Sequence, residues 1–232
     1  MITTILFDFF GTLVAYSPDS YFISKRKKAY AFLIQNGFNL SYQQFEQVFK
    51  DSYNKFDKRS QQTRKEFHMY EFMEYLLKQK LHANVDKNVI QTFTKYYFDE
   101  WNKEVHYYPF IQLFISQLSK KYKLGIVTNT HFAELAAIHL ERMHIKDYFS
   151  VVITSVAFGK RKPHKEIFLH ALKRINSIAS ETIFIGDNYF DDYIGSQKAL
   201  LQSVLLDKEN IYPNVPNKVR SLLEFEQILK KL

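Results

Sequence analysis

Short apolar runs and helical apolar stripes take turns along most of this chain. Ile2 to Phe7 is a β-branched apolar run halted by Gly11-Thr12, which predicts a buried strand and a loop. From about Ser17 to Trp101 the period becomes helical. Tyr30, Leu33 and Ile34 end one helix at Asn36-Gly37, a C-cap pattern. Ser41-Tyr42-Gln43-Gln44 reads as a capping box. Behind it, Phe45, Val48, Phe49, Ser52, Tyr53 and Phe56 share one face. Phe67, Tyr70, Met73, Leu76 and Leu77 mark a third helix, and Ile90, Phe93, Tyr96, Tyr97 and Trp101 a fourth. After Pro109, helices are expected over 110–119, 131–143, 164–175, 192–200 and 219–232. Strands are expected at Leu124–Thr128, Val151–Thr154, Thr182–Ile185 and Ser203–Leu206. Brief, continuously apolar strands separated by helices predict an α/β fold, a doubly wound parallel sheet, interrupted by an all-α block.

Composition narrows the class. With 232 residues, 46% hydrophobic and 24% charged, the chain is an ordinary globular sequence, long for one average domain and short for two. It has no cysteine, which excludes a disulfide scaffold, a cysteine zinc site and thiol catalysis and is compatible with a cytoplasmic setting. No apolar run reaches the roughly 18–20 residues of a membrane span. Asp8 inside the first apolar run argues for a strand over a signal peptide. The net charge of +8 fits an anionic partner of some kind. The 16 Tyr and 22 Phe read as core and surface filling rather than base-stacking platforms.

In a doubly wound sheet, ligands bind beyond the carboxyl ends of the strands. The polar residues expected there are Asp8, Thr128-Asn129 and Gly186-Asp187-Asn188, with Lys162 in a loop able to reach the same rim. A carboxylate at a strand tip can act as a nucleophile. Two facing carboxylates repel at neutral pH and call for a cation, and Mg²⁺ suits oxygen ligands and phosphate. Lys162 can offset charge on a transferring group, and Thr128 and Asn129 can donate to its oxygens.

The pattern resembles the haloacid dehalogenase superfamily of hydrolases. Asp8-Phe9-Phe10-Gly11-Thr12-Leu13 is similar to that family's first motif, D-x-D-G-T-L. Leu124 to Asn129 resembles the second, an apolar strand ending in Thr or Ser. Gly159-Lys160-Arg161-Lys162-Pro163 with Glu166-Ile167-Phe168 resembles the third. Gly186-Asp187-Asn188-Tyr189-Phe190-Asp191-Asp192, then Gly195-Ser196, resembles the fourth. The resemblance implies a Rossmann-like core over 1–15 and 102–232, with an α-helical cap domain over 16–101 and Tyr108-Pro109 at the return to the core. It implies Asp8 as nucleophile, forming an aspartyl-phosphate. It also implies Mg²⁺ on Asp8, the Phe10 carbonyl and Asp187. Thr128, Asn129 and Lys162 would hold the phosphoryl group, with Thr12 capping the loop within its reach. Asn188, Asp191 and Asp192 would stand behind the metal and Lys162.

One position departs from the family's pattern. Its phosphatases carry a second Asp two residues after the nucleophile as general acid and base; here it is Phe10. General acid–base help is worth roughly 10²–10⁴-fold, so an ordinary alkoxide would leave slowly. The leading expectation is a Mg²⁺-dependent hydrolase of a small phosphorylated metabolite or an activated phosphate such as an acyl phosphate. The alternatives are a 2-haloacid dehalogenase, which needs no metal, and a slow or binding-only homologue. Asn188 and Asp191 match the dehalogenase pattern, Asp187 the metal-binding one; Arg26, Arg59 and Arg64 are available to a dehalogenase, and Phe168 stands where dehalogenases tend to have Tyr. A nucleic-acid or membrane partner is not expected, and the chain is expected to act as a monomer or homodimer. The run Lys25-Arg26-Lys27-Lys28 reads as a solvated helix face. His131 is either a helix-start residue or a substrate contact. Tyr21, Phe22, Tyr53, Phe56, Phe67 and Tyr70 read mainly as bundle core.

Overall fold

The structure is a computed structural model that describes residues 1–16, 26–82 and 84–229. Tyr21, Phe22, Lys25 and the last three residues of the expected C-terminal helix lie outside the described residues. The chain divides into two compact units, Met1–Ala15 with Tyr107–Leu232, and Tyr16–His106.

The first unit is built on β1 (Thr4–Phe7), β4 (Lys123–Thr128), β5 (Phe149–Thr154), β6 (Thr182–Gly186), β7 (Gln202–Leu206) and β8 (Lys218–Val219). All neighbours pair in parallel, in the order β5-β4-β1-β6-β7-β8. The first strand is thus central, flanked by β4 and β6, and the winding reverses beside it. Two further strands, β2 (Val14–Tyr16) and β3 (Val105–Tyr107), pair with each other where the chain leaves and rejoins this unit.

Helices cover the sheet on both faces because successive strand residues point to opposite sides. On one face, Leu6, Val127 and Phe184 pack with Ile167, Phe168, Ala171, Leu172 and Ile175 of α8 (Lys165–Ile175). Phe168 and Phe184 meet edge to face at 5.0 Å. On the other, Phe7 lies 6.2 Å from Phe225 of α10 (Leu222–Leu229) and 6.3 Å from Phe149. The unit also holds α5 (Ile111–Ser119), α6 (Glu134–Arg142), α7 (Ser155–Phe158) and α9 (Gly195–Lys198).

Two expectations change in detail. The helix anticipated from Asp192 begins as a π-helical turn, Tyr189–Ile194, before α9. The helix anticipated from Val219 starts at Leu222. Val219 belongs instead to β8, where it pairs with Leu206 and its carbonyl accepts from the Asp207 amide.

The second unit is helical: α1 (Lys27–Gln35), α2 (Tyr42–Thr63), α3 (Met69–Glu74) running into a π-helical turn (Tyr75–Lys80), and α4 (Lys87–Trp101). The Ser41–Gln44 capping box forms reciprocally. Phe45, Phe49, Tyr53, Phe56, Phe67, Phe72, Phe93 and Tyr97 form a connected aromatic core. Tyr70 is half-buried. The basic run is corrected at Arg26, which is 5% exposed. Its guanidinium pairs with both Glu46 oxygens and lies 4.2 Å from the Phe49 ring centroid. Glu46 and the Phe49 face offset part of the cost of taking this guanidinium out of water. Lys28 reaches Asp99 at 3.3 Å.

Candidate active site

Three residues of this site stand at strand ends. Asp8 comes one residue after β1, Thr128 closes β4, and Asp187 follows Gly186 at the end of β6. Because the three strands are parallel neighbours, their ends open on one rim.

Asp8 is 5% exposed, and both its oxygens are engaged. Lys162 Nζ donates to Oδ1 at 2.7 Å, and Thr12 Oγ1 donates to Oδ2 at 3.1 Å. The same ammonium lies 2.6 Å from Asp192 Oδ1. Lys162 and Asp192 are themselves 2% and 1% exposed. Burial alone would pull the Lys162 pKa down, but Asp192 and Asp8 outweigh it and hold the ammonium protonated above its ordinary range. Burial pushes the Asp192 carboxyl well above the usual carboxylate range against the pull of Lys162. Asp192 Oδ2 accepts from the Asn188 amide at 3.0 Å, and that asparagine's side chain caps the following π turn through Phe190 and Asp191.

Asp187 is reached by solvent from one side. The protein packed around the rest of it and the neighbouring Asp8 charge push its pKa up to about 7, opposed by Lys208 and Lys162. Its carboxylate abuts the first-motif loop. Gly11 has φ +90°, and a Cβ there would stand 2.1 Å from Asp187 Oδ2. Gly186 is equally committed, since a Cβ there would meet Asp192 Oδ2 at 2.3 Å. The two glycines let the carboxylates close on one another.

Oxygens of Asp8, Asp187 and Asp192 lie within 4.8 Å of one another. An all-carboxylate set of this spacing, with one member open to solvent and repelled by another, fits a hard divalent cation that keeps waters and phosphate oxygens in its shell. At the end of β4, the hydroxyl of Thr128 is buried and has no hydrogen-bond partner among the described residues. An orphaned buried hydroxyl at this rim fits an anionic oxygen.

Asn129 is used differently from the expectation. Its amide accepts from the Lys162 backbone N–H at 2.9 Å and donates to the Lys162 carbonyl and to Asp191, both at 3.2 Å. The side chain thus staples the lysine loop to the end of β4. Arg161 lies 3.8 Å from the same Asp191. Thr12 serves Asp8 directly, a role that a loop-cap reading does not supply. Phe10 is half-buried, its ring 4.9 Å from Phe9 and 6.1 Å from His139, and His139 Nδ1 lies 2.7 Å from the Tyr107 hydroxyl. His131 is 9% exposed and lies three positions before the start of α6.

A sequence model of haloacid dehalogenase-like hydrolases matches residues 33–206. Pyrimidine 5'-nucleotidase YjjG of Escherichia coli is 36% identical over 116 residues, covering 47% of this chain and 50% of that protein. A glyceraldehyde 3-phosphate phosphatase of Methanocaldococcus jannaschii is 27% identical over 83% of this chain and 79% of its own length. The chain spans about a third to a half of the length of the first curated relatives it matches. In fold, a 2-haloacid dehalogenase from Pseudomonas syringae superposes with a TM-score of 0.75 at 20% identity, over 100% of this chain and 99% of that one. With three of the four motifs standing at the ends of parallel strands and the family's own pattern running through most of the sequence, the chain belongs to the haloacid dehalogenase-like hydrolases.

Proposed function

We propose that the chain is a Mg²⁺-dependent phosphohydrolase acting on a small phosphorylated metabolite through an aspartyl-phosphate on Asp8. The observation that carries this reading is the convergence on Asp8: one oxygen held by Lys162 and one by Thr12, with Asp187 and Asp192 within 4.8 Å. The names of the two curated relatives, a nucleotidase and a sugar-phosphate phosphatase, support the substrate class.

Asp8, Asp187 and the Phe10 carbonyl would hold the cation, which when bound offsets the charge of the carboxylates and the phosphate. Thr12 and Lys162 fix the Asp8 carboxylate so that one oxygen can attack phosphorus in line. Lys162 and the Thr128 hydroxyl receive the phosphoryl oxygens. Asp192 keeps Lys162 charged and aimed. The bond from phosphorus to the leaving oxygen breaks as the bond to Asp8 forms. Water then attacks the aspartyl-phosphate, returning the Asp8 carboxylate and releasing inorganic phosphate. The helical unit would act as the cap that excludes bulk water and selects the substrate.

Phe10 offers no proton to the departing oxygen, so the reading favours substrates with a good leaving group. Turnover of a panel of phosphate monoesters and acyl phosphates, with Mg²⁺ and with EDTA, tests the proposal. Asp8→Asn is expected to abolish turnover; surviving turnover removes Asp8 from its role. Phe10→Asp is expected to speed hydrolysis of ordinary sugar phosphates by roughly tenfold or more, within the range general acid–base catalysis supplies. Halide release from a 2-haloacid in EDTA would replace the phosphatase reading with dehalogenation.

A further inference from the structure

Lys208 stands outside all four motifs, in the loop after β7, yet its ammonium ends at the site. Lys208 Nζ donates to the Gly11 carbonyl at 2.6 Å and to the Tyr108 hydroxyl at 2.9 Å. Gly11 follows Phe10, whose carbonyl is the expected metal ligand, and a Cβ on Gly11 would stand 2.1 Å from Asp187 Oδ2.

The lysine is aimed by a built loop. Asp207 is 5% exposed, and its two oxygens accept from the Ile211 and Tyr212 amides at 2.7 and 2.9 Å. Its own N–H donates to the Val219 carbonyl at 2.8 Å. Tyr212 then stacks on Tyr189, with centroids 4.6 Å apart at 14°, tying the loop to the turn that begins two residues after Asp187. The loop is therefore pinned at both ends before Lys208 reaches across to Gly11.

Resting on the Mg²⁺-dependent reading above, we propose that Lys208 is a positioning residue: it fixes the Gly11 turn so that the Phe10 carbonyl and Asp187 meet the same divalent cation. Two effects of this ammonium oppose each other. As a positive charge beside carboxylates it repels a cation; as the anchor of the turn it preorganises the ligands. The proposal commits to the second as the larger.

Mg²⁺ itself is the probe, titrated calorimetrically into the metal-free protein without substrate, and the experiment compares the wild type with Lys208→Met, Lys208→Arg and Asp187→Asn. Removing a partner that orients a metal ligand typically costs 10–100-fold in metal affinity. Lys208→Met is expected to bind Mg²⁺ about tenfold more weakly, with its urea midpoint in EDTA unchanged and its kcat recovered at saturating Mg²⁺. Lys208→Arg, which keeps a donor for Gly11, is expected to return most of the affinity. A purely structural role would move the urea midpoint and leave the Mg²⁺ affinity in place. If Lys208→Met fails to fold, Lys208→Leu carries the same comparison. Binding by Lys208→Met that equals or exceeds the wild type, while Asp187→Asn loses it, overturns the role of Lys208 and leaves the functional reading standing. Wild-type binding by Asp187→Asn, or no binding by the wild type, overturns both.

Discussion

Lys162→Met tests the electrostatics at the centre of the molecule. The ammonium lies 2.7 Å from Asp8 and 2.6 Å from Asp192, and none of the three is more than 5% exposed. A methionine of similar length fills the space but leaves two carboxylates facing each other away from water. Breaking a buried ion pair by removing one partner costs about 3–5 kcal/mol, because the remaining charge is uncompensated. For a chain of this size that corresponds to a fall in Tm of roughly 10 °C. The loss should depend on pH with a definite sign. Asp192 has a native pKa raised above its unfolded value, so its contribution is present at low pH and is lost as pH rises through the native value. The variant should therefore recover part of the deficit as the pH falls. Urea unfolding in EDTA over a series of pH values measures it. Circular dichroism is the appropriate probe, since the one tryptophan, Trp101, lies in the helical unit and reports on that unit instead. Adding Asp192→Asn to Lys162→Met should restore part of the loss, giving a coupling energy above about 1 kcal/mol between neighbours in one network. A deficit below about 1 kcal/mol at pH 7, or one that does not shrink on acidification, refutes the account.

Other expectations concern separate regions. Glu46→Gln removes the carboxylate charge paired with the buried Arg26 guanidinium and should cost the helical unit about 3 kcal/mol, read by Trp101 fluorescence in urea. Gly11→Ala puts a Cβ 2.1 Å from an Asp187 oxygen at a φ of +90°. It should destabilise the first unit by roughly 2–3 kcal/mol and weaken Mg²⁺ binding, both measurable on one preparation. His139 is fully buried, and burial together with Arg142 lowers its pKa to about 4. Its native pKa lies below the unfolded value, so stability should fall as pH drops from about 6.5 to 4, by up to about 3 kcal/mol. His139→Phe should flatten that part of the pH profile.

What the sequence could show follows from how locally each feature is written. The strands β1, β4 and β6 are continuous apolar runs ending at polar residues, so the sheet and the residues on its rim were readable from linear order alone. The capping box at Ser41 and Gln44 is a four-residue pattern, and it forms as read. Other features depend on pairing across the chain. Asn129 stands beside Thr128 in sequence, but its side-chain partner, the Lys162 backbone, lies 33 residues away. Arg26 looked solvated among lysines because Glu46, which buries it, is a helix further on. Lys208 carries no local mark, and its acceptor at Gly11 is 197 positions distant. Val219 was read as helix because the apolar spacing continues past it, whereas a backbone bond from Asp207 draws it into the sheet.

The paired strands β2 and β3 have a consequence for how the chain folds. Thr4 must find Lys123 to start the central sheet, with the whole helical unit between them. Closing a flexible loop that long costs about 4 kcal/mol in chain entropy. If the helical unit forms first and brings Tyr16 beside Val105–Tyr107, only the short segments on either side remain to be closed. The cost then falls by roughly 1 kcal/mol, worth several-fold in the rate of forming the sheet. The helical unit's fast local contacts thus shorten the search for the slow parallel pairing. A destabilised Glu46 variant should accordingly slow the assembly of the central sheet.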